Sequence, residues 1–239
     1  MGALHFISTG RQTADEFAAI CARIHPYADA IHIREKEKTA REVAEFVAAL
    51  LYAGVPPQKI IVNDRVDVAA VYGVGGVQIA YHSLPVRAVR RSFPDLTVGC
   101  SVHSLTEAKQ AEEDGAHFCL YGHMFPTASK PGLPPRSIDS LRAEEDGAHF
   151  CLYGHMFPTA SKPGLPPRSI DSLREMAASV CIPVIAIGGI HAGNACRVME
   201  AGAAGVAVLS AVFLAPDPVV EARRLAQIVR GERKNGGTL

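Results

Sequence analysis

The chain contains no tryptophan and carries no net charge. Its 24 Lys and Arg residues balance its 24 Asp and Glu residues. Nucleic-acid binding usually needs clustered positive charge, so we expect no nucleic-acid partner. An apolar run of about 18 residues is also missing, and we therefore predict no membrane-spanning helix.

The cysteines lack the paired spacing of metal or redox motifs. There are six of them, and none belongs to a C-x-x-C sequence. Isolated cysteines of this kind are typical of reduced, buried thiols. We therefore predict a cytoplasmic protein without a cysteine-based metal site.

What the sequence does contain is a perfect internal repeat. Ala111–Arg142 recurs letter for letter as Ala143–Arg174. Solenoid repeats diverge and occur in runs of three or more, so two identical copies indicate a tandem duplication. Removing one 32-residue copy from the 239 residues leaves 207, close to the lower limit of roughly 200 for an eight-unit barrel. We interpret 1–239 as one domain in which one copy is an insertion.

Short β-branched runs alternate with helical patterns along the chain, which predicts a parallel sheet covered by helices. Strands are predicted at Leu4–Ser8, Ala30–Arg34, Lys59–Asn63, Gly76–Ala80, Thr97–Val102, His117–Tyr121, Val184–Ile187 and Gly205–Leu209. Helices are predicted at Thr13–Ile24 (N-capped by Thr13), Ala40–Ala53, Val66–Tyr72, Pro85–Phe93, Leu105–Asp114, Ser169–Val180, Ala192–Ala201 and Val219–Arg230. Polar or small residues follow the strands, which favours a (β/α)8 TIM barrel over a doubly wound sheet.

Two loops near the end of the chain have the composition of a phosphate site. Gly188 and Gly189 follow one strand, and Leu209 and Ser210 end the next. Small residues let backbone N–H groups approach an anion closely, and the last two βα loops are the usual phosphate site of this barrel. We predict that these four residues bind a phosphate.

Polar side chains also end earlier strands. Arg34 and Lys36 follow strand 2, Asn63 and Asp64 end strand 3, and Ser101 lies near the end of strand 5. The two cations could hold a carboxylate or phosphate, and Asp64 could orient Lys36 or contact a substrate. We predict that these five residues bind substrate.

Each repeat copy carries one histidine after a strand-like run, His123 in the first and His155 in the second. Histidine transfers protons near neutral pH without a metal, so both are candidate catalytic residues, with a structural role as the alternative. The loops that follow are predicted to bind substrate through Thr127, Ser129, Lys130, Thr159, Ser161 and Lys162.

A further histidine, His32, lies in strand 2 on the same side of the pleat as Arg34. Two roles remain open from the sequence alone. His32 either lines the barrel interior near its mouth or is a buried structural residue.

These stretches resemble the thiamine-phosphate-synthase superfamily. The matching sequences are IHIREK (31–36), IVNDRVDVA (61–69), GVGGVQIAYHSLP (73–85), VGCSVHSLTEA (98–108), YGHMFPTASKPG (121–132 and 153–164), IPVIAIGGI (182–190) and AGAAGVAVLSAVF (201–213). The resemblance implies a TIM barrel that binds thiazole phosphates in thiamine biosynthesis.

The resemblance covers two branches. The synthase branch joins a pyrimidine pyrophosphate to a thiazole phosphate with Mg²⁺, and typically has Gln where this chain has His32, Asp at Ser83, and Pro at His123 or His155. Thiazole tautomerases (TenI-like proteins) read IHIRE and G-H-[VI]-F, closer to this chain. The resemblance therefore favours a cofactor-free tautomerase that aromatises a carboxylated thiazole phosphate by a proton shift through His123 or His155. A synthase and a non-catalytic thiazole-phosphate binder are the alternatives.

The spare copy has two predicted locations. If His117–Tyr121 forms strand 6, the extra residues lie on the catalytic face and His123 is the working histidine. If His149–Tyr153 forms strand 6, the extra residues lie on the opposite face and His155 is the working histidine. This second location is preferred, because it leaves the mouth of the barrel uncrowded. The unused strand would have no partner, so a homodimer that exchanges the duplicated segment is a further hypothesis.

Overall fold

The computed structural model describes residues 2–79, 83–102, 110, 113–121, 151–154, 170–179 and 184–231. Its strands are β1 (Ala3–Ile7), β2 (Ala30–Ile33), β3 (Ile60–Asn63), β4 (Gly76–Ile79), β5 (Thr97–Val102), β6 (Phe118–Tyr121), β7 (Cys151–Gly154), β8 (Val184–Ile187) and β9 (Gly205–Val208). Its helices are α1 (Ala14–Ile24), α2 (Ala40–Tyr52), α3 (Val66–Tyr72), α4 (Val86–Ser92), α5 (Ile170–Ser179), α6 (Ala195–Glu200), α7 (Ser210–Phe213) and α8 (Pro218–Arg230), with 3₁₀ turns at His25–Tyr27 and Pro57–Lys59. Within this described part, no helix is long and apolar enough to cross a membrane.

The strands form one curled parallel sheet in the order β6-β5-β4-β3-β2-β1-β9-β8-β7. The first and last strands of the chain are neighbours, as in a barrel, because β1 pairs with both β2 and β9. A Cβ on Gly205 would lie 2.3 Å from the carbonyl oxygen of Ala3, so glycine is needed where β9 meets β1. The expected TIM-barrel-like α/β architecture is confirmed.

The strand number differs from the expected eight, because both repeat copies contribute a strand. In the first copy, Phe118 lies opposite Gly99 of β5; in the second, Cys151 lies opposite Val184 of β8. The two strands approach each other, with Cα atoms within 8 Å. An apolar, β-prone run leaves fewer backbone groups unpaired in a ladder than in a loop, so neither copy is left outside the sheet. The expectation that one copy alone supplies strand 6 is therefore corrected.

Alternation along each strand separates two apolar regions. Outward residues such as Leu4 and Phe6 of β1 join the main core beneath the helices, where the Phe17 and Phe213 rings lie 5.0 Å apart. A second, smaller cluster contains Ile7, Ile185 and Ala207 on the other face of β1, β8 and β9. The inner face is thus apolar on this side, which leaves the β1–β4 side to carry the polar residues.

Local signals fixed several helix ends. Thr13 and Thr39 each cap a helix through a reciprocal capping box, with Glu16 and Glu42 respectively, as expected for Thr13. The C-terminal ends of β2 and β9 come one residue earlier than predicted, so that Arg34 and Leu209 begin the following loops. The predicted helix Leu105–Asp114 lies largely outside the described residues.

Candidate functional site

The carboxyl end of β2 places two cations on the rim of the barrel. Arg34 follows β2, and its backbone N–H donates to the buried Ser8 hydroxyl, 2.8 Å away. The backbone N–H of Ser8 donates to the carbonyl of His32 at 2.9 Å. These bonds fix the Arg34 backbone, while Arg34 and Lys36 remain exposed to solvent.

Beneath this rim, two histidines pack together inside the barrel. His5 of β1 and His32 of β2 are buried, their ring centroids lie 5.3 Å apart, and His32 Nε2 lies 3.3 Å from His5 Nδ1. Burial lowers the pKa of His5 to about 4, against the opposing charge of Asp29. Burial, reinforced by His5, lowers the pKa of His32 to about 3. Both rings are therefore neutral at physiological pH, and His32 is at once buried and part of the interior.

The ends of β3 and β4 bring a carboxylate and a hydroxyl together. The Ser83 hydroxyl donates to Oδ1 of Asp64, and the Asp64 backbone N–H donates to the Gln78 carbonyl at 2.8 Å. Asp64 has a φ of 68°, the left-handed region, and is the only non-glycine residue with positive φ in the described ranges. Such conformations cluster at functional sites because the surrounding bonds must hold them. Asn63 ends β3 opposite Gln78, whose side chain is 1% exposed.

The next acidic residue along the chain is already engaged. The Nε of Arg65 donates to Oδ1 of Asp67 at 3.0 Å, and its NH2 group contacts Oδ2. This hydrogen bond lowers the pKa of Asp67. Among the described residues, no group of three or more His, Cys, Asp and Glu side chains could hold a metal ion.

The loop after β8 is built around glycine and a buried asparagine. Gly188 and Gly189 have φ angles of 107° and 64°, which would strain any other residue. The Asn194 amide donates to the Gly189 carbonyl at 3.0 Å, and its Oδ1 accepts the His191 N–H at 2.9 Å. The loop backbone is therefore held in one conformation.

The neighbouring strand completes the predicted phosphate pair of loops. Leu209 precedes α7, and Ser210, its first residue, is exposed. Because β8 and β9 are adjacent in the sheet, this strand end lies beside Gly188 and Gly189. The geometry is compatible with phosphate binding, which remains a prediction.

Other predicted residues lie outside the described ranges. These are both catalytic candidates and the loop residues: His123, His155, Thr127, Ser129, Lys130, Thr159, Ser161 and Lys162. Ser101 lies in β5, opposite Leu120 of β6.

Sequence reasoning missed three buried polar residues near the predicted site. His5 and Gln78 occupy alternating positions that face the barrel interior, a signal present in the period-two pattern of β1 and β4. Asn194 precedes α6, where asparagine is common, but its contact with Gly189 depends on the fold of the loop.

The chain matches the family model described as thiamine monophosphate synthase over residues 4–143 and again over 139–212. The two matches meet at the junction between the repeat copies. A thiamine-phosphate synthase of Roseiflexus sp. (strain RS-1) is 34% identical over 237 residues, which cover 95% of this chain and 86% of the relative. One from Chloroflexus aurantiacus is 37% identical over 217 residues, 89% of this chain and 84% of the relative.

Solved structures agree with this fold. Thiamine phosphate pyrophosphorylase from Pyrococcus furiosus superposes with a TM-score of 0.63 at 29% identity, covering 96% of each chain. A 3-hexulose-6-phosphate synthase also superposes with a TM-score of 0.63, at 13% identity over 96% of this chain and all of the other. The second likeness concerns the fold alone.

The tautomerase interpretation is wrong, because relatives 30–37% identical over most of the chain are thiamine-phosphate synthases. The interpretation depended on single positions, His32, Ser83 and the histidine of the repeat. Three positions weigh less than similarity along the whole chain. The prediction that the protein is an isomerase is therefore also wrong, whereas the prediction that it is an enzyme is supported by the same relatives. The chain belongs to the thiamine monophosphate synthase family.

Proposed function

We propose that this protein is a thiamine-phosphate synthase, which joins a pyrimidine pyrophosphate to a thiazole phosphate and releases pyrophosphate. The observation that carries the proposal is the similarity to synthases over nine-tenths of the chain, at up to 37% identity. The described site residues are consistent with this reaction, because they provide cations for the leaving group, a separate phosphate loop and a buried pair of neutral histidines.

The β2 rim is suited to a departing pyrophosphate. Arg34 and Lys36 are exposed at one strand end, and the hydrogen bond from the Arg34 backbone N–H to Ser8 fixes the position of the arginine backbone. Arginine binds phosphate oxygens through two parallel N–H groups and lysine as a point charge. Negative charge that develops on the leaving group would therefore be stabilised here.

The loops after β8 and β9 are suited to the thiazole phosphate. In the sheet order, β9 lies two strands and β8 three strands from β2, with β1 between β2 and β9. With strands about 4.8 Å apart, Ser210 lies roughly 10 Å along the rim from Arg34. Two phosphorylated substrates can therefore be held side by side without their charges meeting.

The buried pair of His5 and His32 bears on one difference between this sequence and the synthases. Synthases typically have glutamine where this chain has His32. A neutral imidazole, like an amide, has both a donor and an acceptor, and although His32 Nε2 contacts His5, the other ring nitrogen still provides one polar group. Burial keeps His32 neutral by lowering its pKa to about 3. His32 can thus replace the amide in orienting a neutral heterocycle.

The family uses Mg²⁺, and the residues present fit it in part. Mg²⁺ takes oxygen ligands, usually one or two carboxylates together with substrate phosphates. Asp64 supplies one carboxylate and Ser83 a neutral hydroxyl in contact with it. When bound, the ion would neutralise charge on the pyrophosphate.

The test is pyrophosphate release from the two substrates with Mg²⁺. We expect pyrophosphate release that requires both substrates. Arg34→Ala should lower kcat/KM roughly 10- to 100-fold, because this is the effect of losing one hydrogen bond to a charged group. Arg41→Ala, which removes an exposed arginine from α2, is the matched control and should leave the rate unchanged. Release that does not depend on the thiazole phosphate would contradict the proposal.

A further inference from the structure

We propose that Ser83 makes metal binding in this protein dependent on substrate, so that Mg²⁺ enters the site together with a pyrophosphate and does not bind the free enzyme appreciably. The inference rests on the proposed function, since a pyrophosphate must be a natural ligand of the site. It starts from the residue next to Asp64.

The metal side of the site is fixed in position. Asp64 follows β3, and its backbone is held by the 2.8 Å bond from its N–H to the Gln78 carbonyl of β4. Ser83 lies four residues beyond β4 and donates its hydroxyl to Oδ1 of Asp64. The two side chains therefore meet across adjacent strand ends, where two carboxylates could otherwise share one cation.

The charge available to a cation at this point is small. Synthases typically have aspartate at the position of Ser83, so this chain has one carboxylate where they have two. The next acid, Asp67, is bound to Arg65 at 3.0 Å and is not available as a replacement. The described residues also contain no cluster of three potential ligands.

A single carboxylate holds Mg²⁺ weakly, because the ion dehydrates reluctantly and usually needs substrate phosphates to complete its shell. The hydroxyl of Ser83 carries no charge, so it adds far less attraction for a cation than a second carboxylate would, although its lone pairs stay available while it donates to Asp64. Pyrophosphate supplies several anionic oxygens, so the ion and the anion should bind as a unit.

The experiment measures Mn²⁺ retained by the full-length protein in equilibrium dialysis, with and without inorganic pyrophosphate. For the wild type we expect little retention of Mn²⁺ alone and about one ion per chain when pyrophosphate is present. Ser83→Asp should bind Mn²⁺ alone at least tenfold more tightly than the wild type. Ser83→Ala is the matched control; it adds no carboxylate and should stay within threefold of the wild type.

Two results would overturn the inference. One is wild-type affinity for Mn²⁺ alone within threefold of that of Ser83→Asp, or of Ser83→Glu if the first variant does not fold by circular dichroism. The other is unchanged retention with pyrophosphate in Asp64→Asn. Neither readout uses turnover. A protein that shows the expected retention but joins no substrates would therefore refute the proposed function alone.

Discussion

Acidification should destabilise this protein through the buried His5–His32 pair. An unfolded histidine has a pKa of 6.5, whereas burial lowers the folded values to about 4 for His5 and about 3 for His32. The folded state thus binds fewer protons, so stability falls as the pH falls through 6.5 and levels off only near pH 3. Between pH 7 and pH 5, linkage gives a loss of about 2 kcal/mol per ring, or about 4 kcal/mol for the pair.

The assay is urea unfolding at pH 7 and pH 5, comparing the wild type with the double variant His5→Asn, His32→Gln. Asparagine places its amide near the former Nδ1 and glutamine near the former Nε2, so both substitutions keep polar atoms at the 3.3 Å contact. Other titrating groups are common to both proteins and cancel in the difference. We expect the wild type to lose about 4 kcal/mol more than the double variant over this interval.

A surface histidine provides the control for this experiment. His191→Gln removes an exposed histidine and should leave the pH dependence close to that of the wild type. Equal losses for the wild type and the double variant would refute the reasoning. So would imidazole NMR signals of His5 and His32 that titrate near pH 6.5.

Three further outcomes are expected. Deleting 143–174 should raise the urea midpoint and retain synthase activity, because the remaining copy can pair with both of its neighbours; a lower midpoint would show that the second copy is needed. Asn194→Ala should cost about 1–3 kcal/mol of stability and raise KM for the thiazole phosphate, because the Gly189 carbonyl loses its partner; unchanged KM would separate this loop from the substrate. Phe17→Ala should cost about 3–5 kcal/mol by calorimetry, against less than about 0.5 for Tyr52→Ala on the surface; similar losses for both would contradict the assigned core.

Locally encoded features were predictable from the sequence. The Thr13 cap depends on Glu16, three residues away, and α3 begins and ends where its pattern predicts. The alternation of strands and helices predicted a parallel sheet, and the polar or small residues that follow the strands favoured a barrel over a doubly wound sheet. The predicted strand bounds also placed Arg34, Asp64 and Gly189 at strand ends, which lie on one rim of a barrel.

Features that depend on distant residues were not predictable. The bond between Ser83 and Asp64 joins residues 19 apart, and the pairing of His5 with His32 joins residues 27 apart. Both contacts exist only once neighbouring strands are in register. The fate of the repeat could not be predicted for the same reason, because two identical sequences have identical propensities and only their neighbours differ. A dimer that exchanges the repeat remains a prediction, which light scattering would test.

Two identical repeat copies each pair with a different neighbouring strand. The first copy forms a ladder with β5, and the second forms a ladder with β8. A substitution that spoils pairing with β5 is therefore harmful in one copy and tolerable in the other. The same substitution, made in one copy at a time, should therefore change stability by different amounts although the two sequences are identical.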